Sequence, residues 1–277
     1  MIDELKESYY LGSYTKVIND SSSFKKDDEE VEFIVLRSRL ALNQIDFVIN
    51  ATNGQTNNVQ KAINLLATSM KLSDQKEIQN LIQNADSSLL KISEYYAICA
   101  GIIYLRLGNF SEALSILDGV NHDEAIALRI QALISINRSD LASSILPDIK
   151  DPNLSKICSA QIGISLGDAA ARDALYSLQD ISDRGISTPL LQNLLASCFF
   201  AVGEWENGNN AMIVASERFP NDETTAINQA VALSHGTDYE KLVTQINLVK
   251  SFNNSYTSTL NDLLKDFDDT AARLKEE

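Results

Sequence analysis

The chain has 277 residues, of which 44% are hydrophobic and only four are proline, a composition that favours helices and allows a substantial buried core. Lys and Arg number 23 against 38 Asp and Glu, which gives a net charge of −15. A nucleic-acid backbone or an anionic membrane surface would repel such a chain, so we expect it to bind neither directly.

The amino-terminal stretch and the cysteines indicate a cellular compartment. Residues 1–7 are acidic on balance, whereas a secretory signal begins with a basic segment. The most apolar stretch, residues 95–105, is shorter than the roughly 20 residues that cross a membrane. Cys99, Cys158 and Cys198 are few and far apart, as a reducing compartment permits. We therefore expect a cytoplasmic protein.

Polar loops at residues 21–28 and 50–58 divide the first part of the chain into helical segments. The periodic spacing of apolar residues predicts helices over residues 59–70 and 76–83, and a turn between two helices at residues 10–14. The amino-terminal third is thus predicted to consist of short helices joined in pairs.

Two clusters of acidic residues stand out in this chain. Carboxylates favour the positive end of a helix dipole, so the first cluster predicts a solvated helix start; the alternative is a handle for a basic partner. The first cluster consists of Asp27, Asp28, Glu29, Glu30 and Glu32, and the second of Asp262, Asp266, Asp268, Asp269, Glu276 and Glu277.

The clearest helical pair is predicted at residues 94–117, with its turn at Gly108. Gly101 in the first helix and Ala113 in the second are small, so they allow the two helices to approach closely. Phe110 and Leu117 are then expected to fill the space between the helices.

This pattern of small and large residues recurs along the chain. Taking the small residue of the second helix as a marker, the interval from Ala113 to Ala142 is 29 positions, from there to Ala174 it is 32, and from there to Gly208 it is 34. A period near 34 residues is typical of tetratricopeptide repeats. The second clear repeat carries Ala196, Phe199, Gly203, Trp205, Gly208, Met212, Ala215 and Pro220.

Three further helices are predicted at residues 223–234, 239–252 and 256–275. The last has an apolar stripe opposite its charges, which is typical of a helix that caps a repeat array. We therefore predict an all-α fold: a tetratricopeptide-repeat-like α-solenoid of antiparallel helix hairpins in one domain, 1–277, in which residues 223–277 form the C-terminal helices including the cap. The stripe consists of Leu260, Leu263, Leu264, Phe267 and Leu274.

Stacked helix pairs leave a concave face lined by the first helix of each pair, and such faces bind other proteins. Spacing predicts a largely apolar groove on this face; the alternative is that some of its residues are core in a strongly curved solenoid. The predicted partner-binding residues are Tyr9, Phe33, Arg37, Leu40, Tyr95, Ile98, Ile102, Leu105, Arg106 and Phe200. The same spacing also places Leu190, Asn193, Ser197 and Ala201 on this face.

Short motifs along the whole chain resemble those of the epsilon subunit of coatomer. The resemblance rests on the order of these motifs, on the length of the chain and on its acidity. The chain departs from the family at Gly208, where an alanine would be usual, and in a shortened stretch around Asp151. The motifs are Asp3-Glu4-Leu5, Tyr10-Leu11-Gly12-Ser13-Tyr14, Val17-Ile18-Asn19, Val59-Gln60-Lys61-Ala62, Gly203-Glu204-Trp205-Glu206 and Asp266-Phe267-Asp268.

The resemblance implies a structural subunit of the vesicle coat, COPI, that carries cargo from the Golgi back to the endoplasmic reticulum and within the Golgi. It further implies that the chain binds and stabilises the C-terminal domain of the alpha subunit, within the rest of the coatomer complex. The protein would then reach Golgi membranes and coated vesicles only through the coat. No cofactor is implied.

The residues also bear on other functional classes. His122 and His235 lie far apart without metal-ligand spacing, and no glycine loop suits a phosphate, so we predict no catalytic, cofactor or metal site and no enzyme. The alternative is a co-chaperone or other interaction adaptor, which clamps a terminal carboxylate with converging Lys, Arg and Asn. Tyr95 and Ile98 at those positions disfavour the adaptor.

Overall fold

The computed structural model describes residues 2–24, 28–54, 56–252 and 255–276, with the side chains of all of these except 255, 275 and 276. Across these ranges the secondary structure is helical, with no β-strand, so the all-α prediction is confirmed. The helices are α1 Ile2–Tyr10, α2 Tyr14–Asp20, α3 Glu29–Ala41, α4 Ile45–Thr52, α5 Asn58–Lys71, α6 Gln75–Gln83, α7 Leu89–Ile92, α8 Glu94–Arg106, α9 Phe110–Leu117, α10 Asp123–Ser135, α11 Ser139–Ile145, α12 Pro152–Leu166, α13 Asp168–Ser182, α14 Pro189–Ala201, α15 Trp205–Arg218, α16 Glu223–Ser234, α17 Tyr239–Lys250 and α18 Ser255–Glu276.

Local sequence signals account for most helix limits. The helix predicted at 223–234 is α16, with the same limits. The helices predicted at 59–70 and 76–83 are α5 and α6, which are longer than predicted by two residues and by one residue. The first acidic cluster is a helix start: the Asp28 carboxylate accepts from the backbone N–H groups of Glu30 and Val31 at the beginning of α3. Asp27 and Glu277 lie outside the described residues. The four-residue helix α7 is not predicted, because so short a segment carries no periodicity.

The chain divides into two compact units, Met1–Leu191 and Gln192–Glu277, and each is described by itself. In unit 1, helices α1, α3, α5, α8, α10 and α12 are the first helices of successive pairs and pack side by side in that order. The row also closes, because α1 contacts α12. Beside this contact the Thr188 hydroxyl donates to the Leu11 carbonyl oxygen at 2.7 Å, in a buried position.

The pair α8 and α9 is held together by the close approach that its small residues allow. A Cβ atom added at Gly101 would lie 2.9 Å from the Cγ and both Cδ atoms of Leu117, which is too close for carbon atoms. Leu117 and Ala113 are fully buried. The predicted helix contact at Gly101 is therefore present, with Leu117 as the side chain that fills it.

Five helix pairs share one kind of turn. In each, one residue adopts a positive φ and the next N–H returns to a carbonyl of the preceding helix, as in a Schellman C-cap. Glycine occupies this position in three turns and asparagine, which tolerates the left-handed region, in two. These residues are Gly12, Asn43, Gly108, Asn137 and Gly203.

Unit 2 contains most of α14 together with α15 to α18. The Phe200 ring lies over Gly208, where an added Cβ would come within 2.2 Å of a ring carbon. Trp205 stacks on Phe200 with ring centroids 5.0 Å apart, and His235 stacks on Trp205 at 3.6 Å. An alanine at position 208 would therefore displace the Phe200 ring, which explains the glycine there.

Helix α18 differs from the prediction of a cap. The buried Thr257 hydroxyl donates to the Val249 carbonyl oxygen, so the beginning of the helix is held against the end of α17. Beyond it, Leu263, Phe267 and Leu274 are 61%, 70% and 68% exposed. Residues that close an apolar end would be buried, so the capping prediction is wrong for this part of the stripe.

The close approach at Gly101 gives a first prediction. Gly101→Ala should lower the free energy of unfolding by about 1–3 kcal/mol, because the new methyl group overlaps Leu117. Urea denaturation followed by circular dichroism measures the change. Leu117→Ala removes the overlapping atoms, so the two substitutions together should cost less than the sum of the single effects. Additive losses would contradict this contact.

The turn at Gly108 gives a second prediction, based on its backbone alone. Its φ is +73° and nothing lies within 4 Å of an added Cβ. Gly108→Asn should leave the melting temperature nearly unchanged, since Asn43 and Asn137 occupy equivalent turns. Gly108→Val should cost about 1–2 kcal/mol, the strain of a left-handed conformation. Equal stability of the two variants would show that the turn is not strained.

Candidate partner-binding surface

The structure assigns five of the ten predicted groove residues to the core of unit 1. Because the row of first helices closes on itself, the face that an open solenoid would present is covered by the helices on the other side of the row. Phe33, at 0% exposure, packs on the Tyr95 ring with centroids 4.7 Å apart. The groove prediction is corrected at these five buried positions, Tyr9, Phe33, Leu40, Tyr95 and Ile98.

Arg37, another predicted groove residue, lies inside this closed row. Its guanidinium donates from Nη1 to Oε2 of Glu124 at 3.1 Å and so joins α3 to α10. It also lies 5.4 Å from the centre of the Phe33 ring. The other carboxylate oxygen, Oε1 of Glu124, is buried without a hydrogen-bond partner. Burial raises the pKa of the neighbouring Cys99 thiol to about 12, so this sulfur stays protonated and unreactive at neutral pH.

The remaining predicted residues retain accessible surface. Arg106 is exposed and its Nη1 lies 3.4 Å from the Ser69 hydroxyl; burial of part of the side chain lowers its pKa, and it remains a cation. Ile102 and Leu105 are half-buried on the same helix, and Phe200 is half-buried in unit 2. In α14, Asn193 is buried and donates to the Thr225 hydroxyl at 2.8 Å, so it too is a core residue.

A cleft of about 700 Å³ opens in unit 1 at the end where the first helices begin. None of the ten predicted residues lines it. Six carboxylates and four cations dominate its lining. The cleft is therefore charged, whereas the sequence predicts an apolar groove. These residues are Asp3, Glu4, Glu7, Glu30, Asp123 and Asp151 on the acidic side, and Lys6, Lys150, Lys156 and Arg184 on the basic side.

The helix starts explain why these charges meet. His122 caps α10, where its Nδ1 accepts from the Glu124 N–H, and the Asp151 carboxylate caps α12. The Asp123 carboxylate accepts from the N–H groups of Lys150 and Asp151 at 3.2 and 2.8 Å, and so ties one helix start to the next. Side-by-side first helices place their acidic first turns at one end of the row. Helix polarity and the repeat period could have predicted an acidic end of the row, but not that the row closes and gathers these residues around one cleft.

Several of the cations in the cleft already have carboxylate partners. Lys6 pairs with Glu30, and Lys156 and Arg184 both reach Asp180, at 3.0 and 3.1 Å. Such partly exposed pairs are weak, so they can exchange for pairs with another protein at little cost. The cleft therefore offers charges of both signs on a rigid set of helix ends.

Comparison with known proteins decides the family. The family model described as coatomer epsilon subunit matches residues 2–276, which is nearly the whole chain. The chain belongs to the coatomer epsilon subunit family. The resemblance stated from the short motifs is therefore confirmed, and this chain is a component of coatomer.

Two relatives illustrate the similarity. The coatomer subunit epsilon-1 of Oryza sativa subsp. japonica is 25% identical over 256 residues, covering 90% of this chain and 89% of its own. The coatomer subunit epsilon of Dictyostelium discoideum is 25% identical over 243 residues, with 81% of each chain covered. Among solved structures, a tetratricopeptide repeat protein from Parabacteroides merdae superposes with a TM-score of 0.62 at 13% identity, covering 91% of this chain and 98% of that one. This superposition supports the α-solenoid fold.

Two further findings concern sites that an epsilon subunit could carry. Within residues 2–24, 28–54, 56–252 and 255–276 no group of three or more His, Cys, Asp or Glu side chains is placed to hold a metal ion. In the same part of the chain, none of the helices combines the length and the apolar character needed to cross a lipid bilayer.

The buried ion pair gives a third prediction. Arg37→Met should lower the free energy of unfolding by about 3–5 kcal/mol, because it leaves the Glu124 carboxylate buried and unpaired. Chemical denaturation measures the loss. Lys71→Met breaks the exposed pair with Asp46 and should cost no more than about 1 kcal/mol. Adding Glu124→Leu to Arg37→Met should restore much of the stability; a double variant less stable than Arg37→Met would contradict the assignment.

Proposed function

We propose that this chain binds the C-terminal domain of the coatomer alpha subunit and stabilises it within the coat that carries cargo from the Golgi back to the endoplasmic reticulum and within the Golgi. It would act in the cytoplasm and reach Golgi membranes and vesicles only as part of this coat. Membership of the epsilon subunit family is the observation that carries the proposal.

The charged cleft of unit 1 supports a polypeptide as the ligand. A volume of about 700 Å³ accommodates several side chains of a partner segment. Charges of both signs select a segment with complementary charges, and such pairs set orientation and association rate. The partner segment is therefore expected to carry both basic and acidic residues.

The half-buried and exposed residues of α8 are a second part of the proposed surface. Ile102 and Leu105 offer apolar area and Arg106 a cation on one helix. These three residues belong to the predicted partner-binding set, and together with the cleft they form the proposed surface. The five core residues act instead by keeping the first-helix row closed.

The alternative is an adaptor that clamps a terminal carboxylate, and the charges of the cleft disfavour it. Such a clamp needs an excess of cations around the carboxylate of its ligand. In the cleft, six carboxylates outnumber the four cations. An enzyme is disfavoured as well, since the family role is that of a coat component.

Binding to the purified C-terminal domain of the alpha subunit provides a fourth prediction. The two chains should form a one-to-one complex, measured by calorimetry and size-exclusion chromatography. Lys150→Glu with Lys156→Glu should weaken the complex at least about tenfold, because two cations of the cleft are reversed. The weakening should diminish at high salt.

The matched control reverses two exposed lysines outside the cleft. Lys76→Glu with Lys91→Glu makes the same change in charge and should leave affinity within about twofold. No complex with the unmodified chain would refute the function. If the cleft variant binds as tightly as the control variant, the cleft is not the binding site, but the proposed function still holds.

A further inference from the structure

The charged cleft of unit 1 contains two neutral polar side chains that are almost completely buried. Tyr10 and Asn153 line the cleft, and each is only 8% exposed. The Asn153 backbone N–H donates to Asp151, but within the described ranges neither the Asn153 side-chain amide nor the Tyr10 hydroxyl makes a hydrogen bond. Buried polar groups in proteins are almost always paired, so we call these two residues the floor of the cleft and ask what pairs with them.

The Tyr10 hydroxyl lies in a negative electrostatic field. Its pKa is raised above its usual value, first because burial disfavours the phenolate and then because nearby carboxylates repel it. These carboxylates belong to the beginnings of α3, α10 and α12, and the last of these helices carries Asn153. A group that enters beside the hydroxyl is therefore favoured if it is positive. The carboxylates are Glu124, Asp151, Asp123 and Glu30.

The charges of the cleft as a whole agree with a positive ligand at the floor. Six carboxylates line it against only four cations, in a chain whose net charge is −15. The four cations, Lys150 among them, remain available to acidic residues of the same partner. A cation at the floor is therefore compatible with a partner segment that carries charges of both signs.

An arginine side chain matches the floor better than other cations or a neutral group. Its guanidinium is planar, carries five N–H donors and no acceptor, and is less strongly hydrated than the ammonium group of lysine. It can donate to the Tyr10 hydroxyl oxygen, to the Asn153 side-chain carbonyl oxygen and to a carboxylate at the same time. A main-chain amide would pair with the same two groups but would gain nothing from the negative field.

We propose that the floor of the cleft, formed by Tyr10 and Asn153, holds one arginine side chain of the partner protein. The inference rests on the proposed function, because the arginine is assigned to the segment of the alpha subunit that enters the cleft. The two floor residues then decide which segment fits, and the charged residues around them orient it.

A pair of small probes tests the floor on the full chain, and this is the fifth prediction. The first probe is N-acetyl-arginine methylamide, and the second is its citrulline analogue, in which an uncharged urea of the same shape replaces the guanidinium. The arginine probe should bind at least about tenfold more tightly than the citrulline probe and than the corresponding lysine derivative. Nuclear magnetic resonance of the backbone amides that line the cleft measures each affinity.

Matched variants of the chain separate binding from folding. Tyr10→Phe with Asn153→Leu removes the polar atoms of the floor and should weaken both the arginine probe and the complex with the alpha domain at least about fivefold. Tyr104→Phe removes the hydroxyl of a half-buried tyrosine outside the cleft, which also has no hydrogen-bond partner in the described ranges, and should keep both affinities within about twofold. The floor variant should melt at the same or a higher temperature, because it loses no hydrogen bond within the chain.

Three results would overturn the inference. The arginine probe could bind no more tightly than the citrulline or lysine probe, which would show that the floor does not select a guanidinium. The floor variant could bind the arginine probe or the alpha domain as tightly as Tyr104→Phe does. Its melting temperature could fall, which would show that the two side chains serve the fold. Failure of the proposed function is a separate result: the unmodified chain then binds no alpha domain, and the arginine probe still decides the floor.

Discussion

The ion pair between Arg37 and Glu124 lies where the helices of unit 1 converge, and the rest of that unit is arranged around it. A guanidinium and a carboxylate that are largely withdrawn from water are tolerated only when they face each other at close range, as they do at 3.1 Å. This requirement fixes α3 against α10, which are far apart in sequence. Phe33 lies beside the guanidinium and is buried, as is Tyr95.

The sequence predicts the local features of this fold well and its curvature poorly. Helix periodicity, the glycine turn at Gly108 and the close approach at Gly101 depend on residues near one another in the chain, and all three are present. Curvature is a sum of small rotations between successive pairs, set by many contacts at once. The assignment of Phe33 and Tyr95 to a groove fails for that reason. The charged cleft was missed because it collects helix starts that only the closed row brings together.

The two ends of the chain use the same amphipathic pattern with opposite results. In unit 1 the apolar faces of the first helices find each other and become core. In α18 a comparable face, including Leu263 and Phe267, remains in water. Periodicity predicts that a face is apolar, but only the positions of other elements decide whether it is interior or exposed. The same sequence pattern therefore produces core in one unit and exposed apolar surface in the other.

The contact between Thr188 and Leu11 joins groups separated by 177 positions. An ordinary repeat array folds by adding each pair to its neighbour, so contacts between residues distant in sequence are few. In this chain α1 can pack on α2 and α3 early, but the contacts of the first helix pair with α12 and Thr188 form only after these have been synthesised. Nascent α1 must therefore wait, with part of its apolar face uncovered, while the ribosome makes most of unit 1. Closure of the row is consequently a late step during translation, which follows the stepwise growth usual for solenoids.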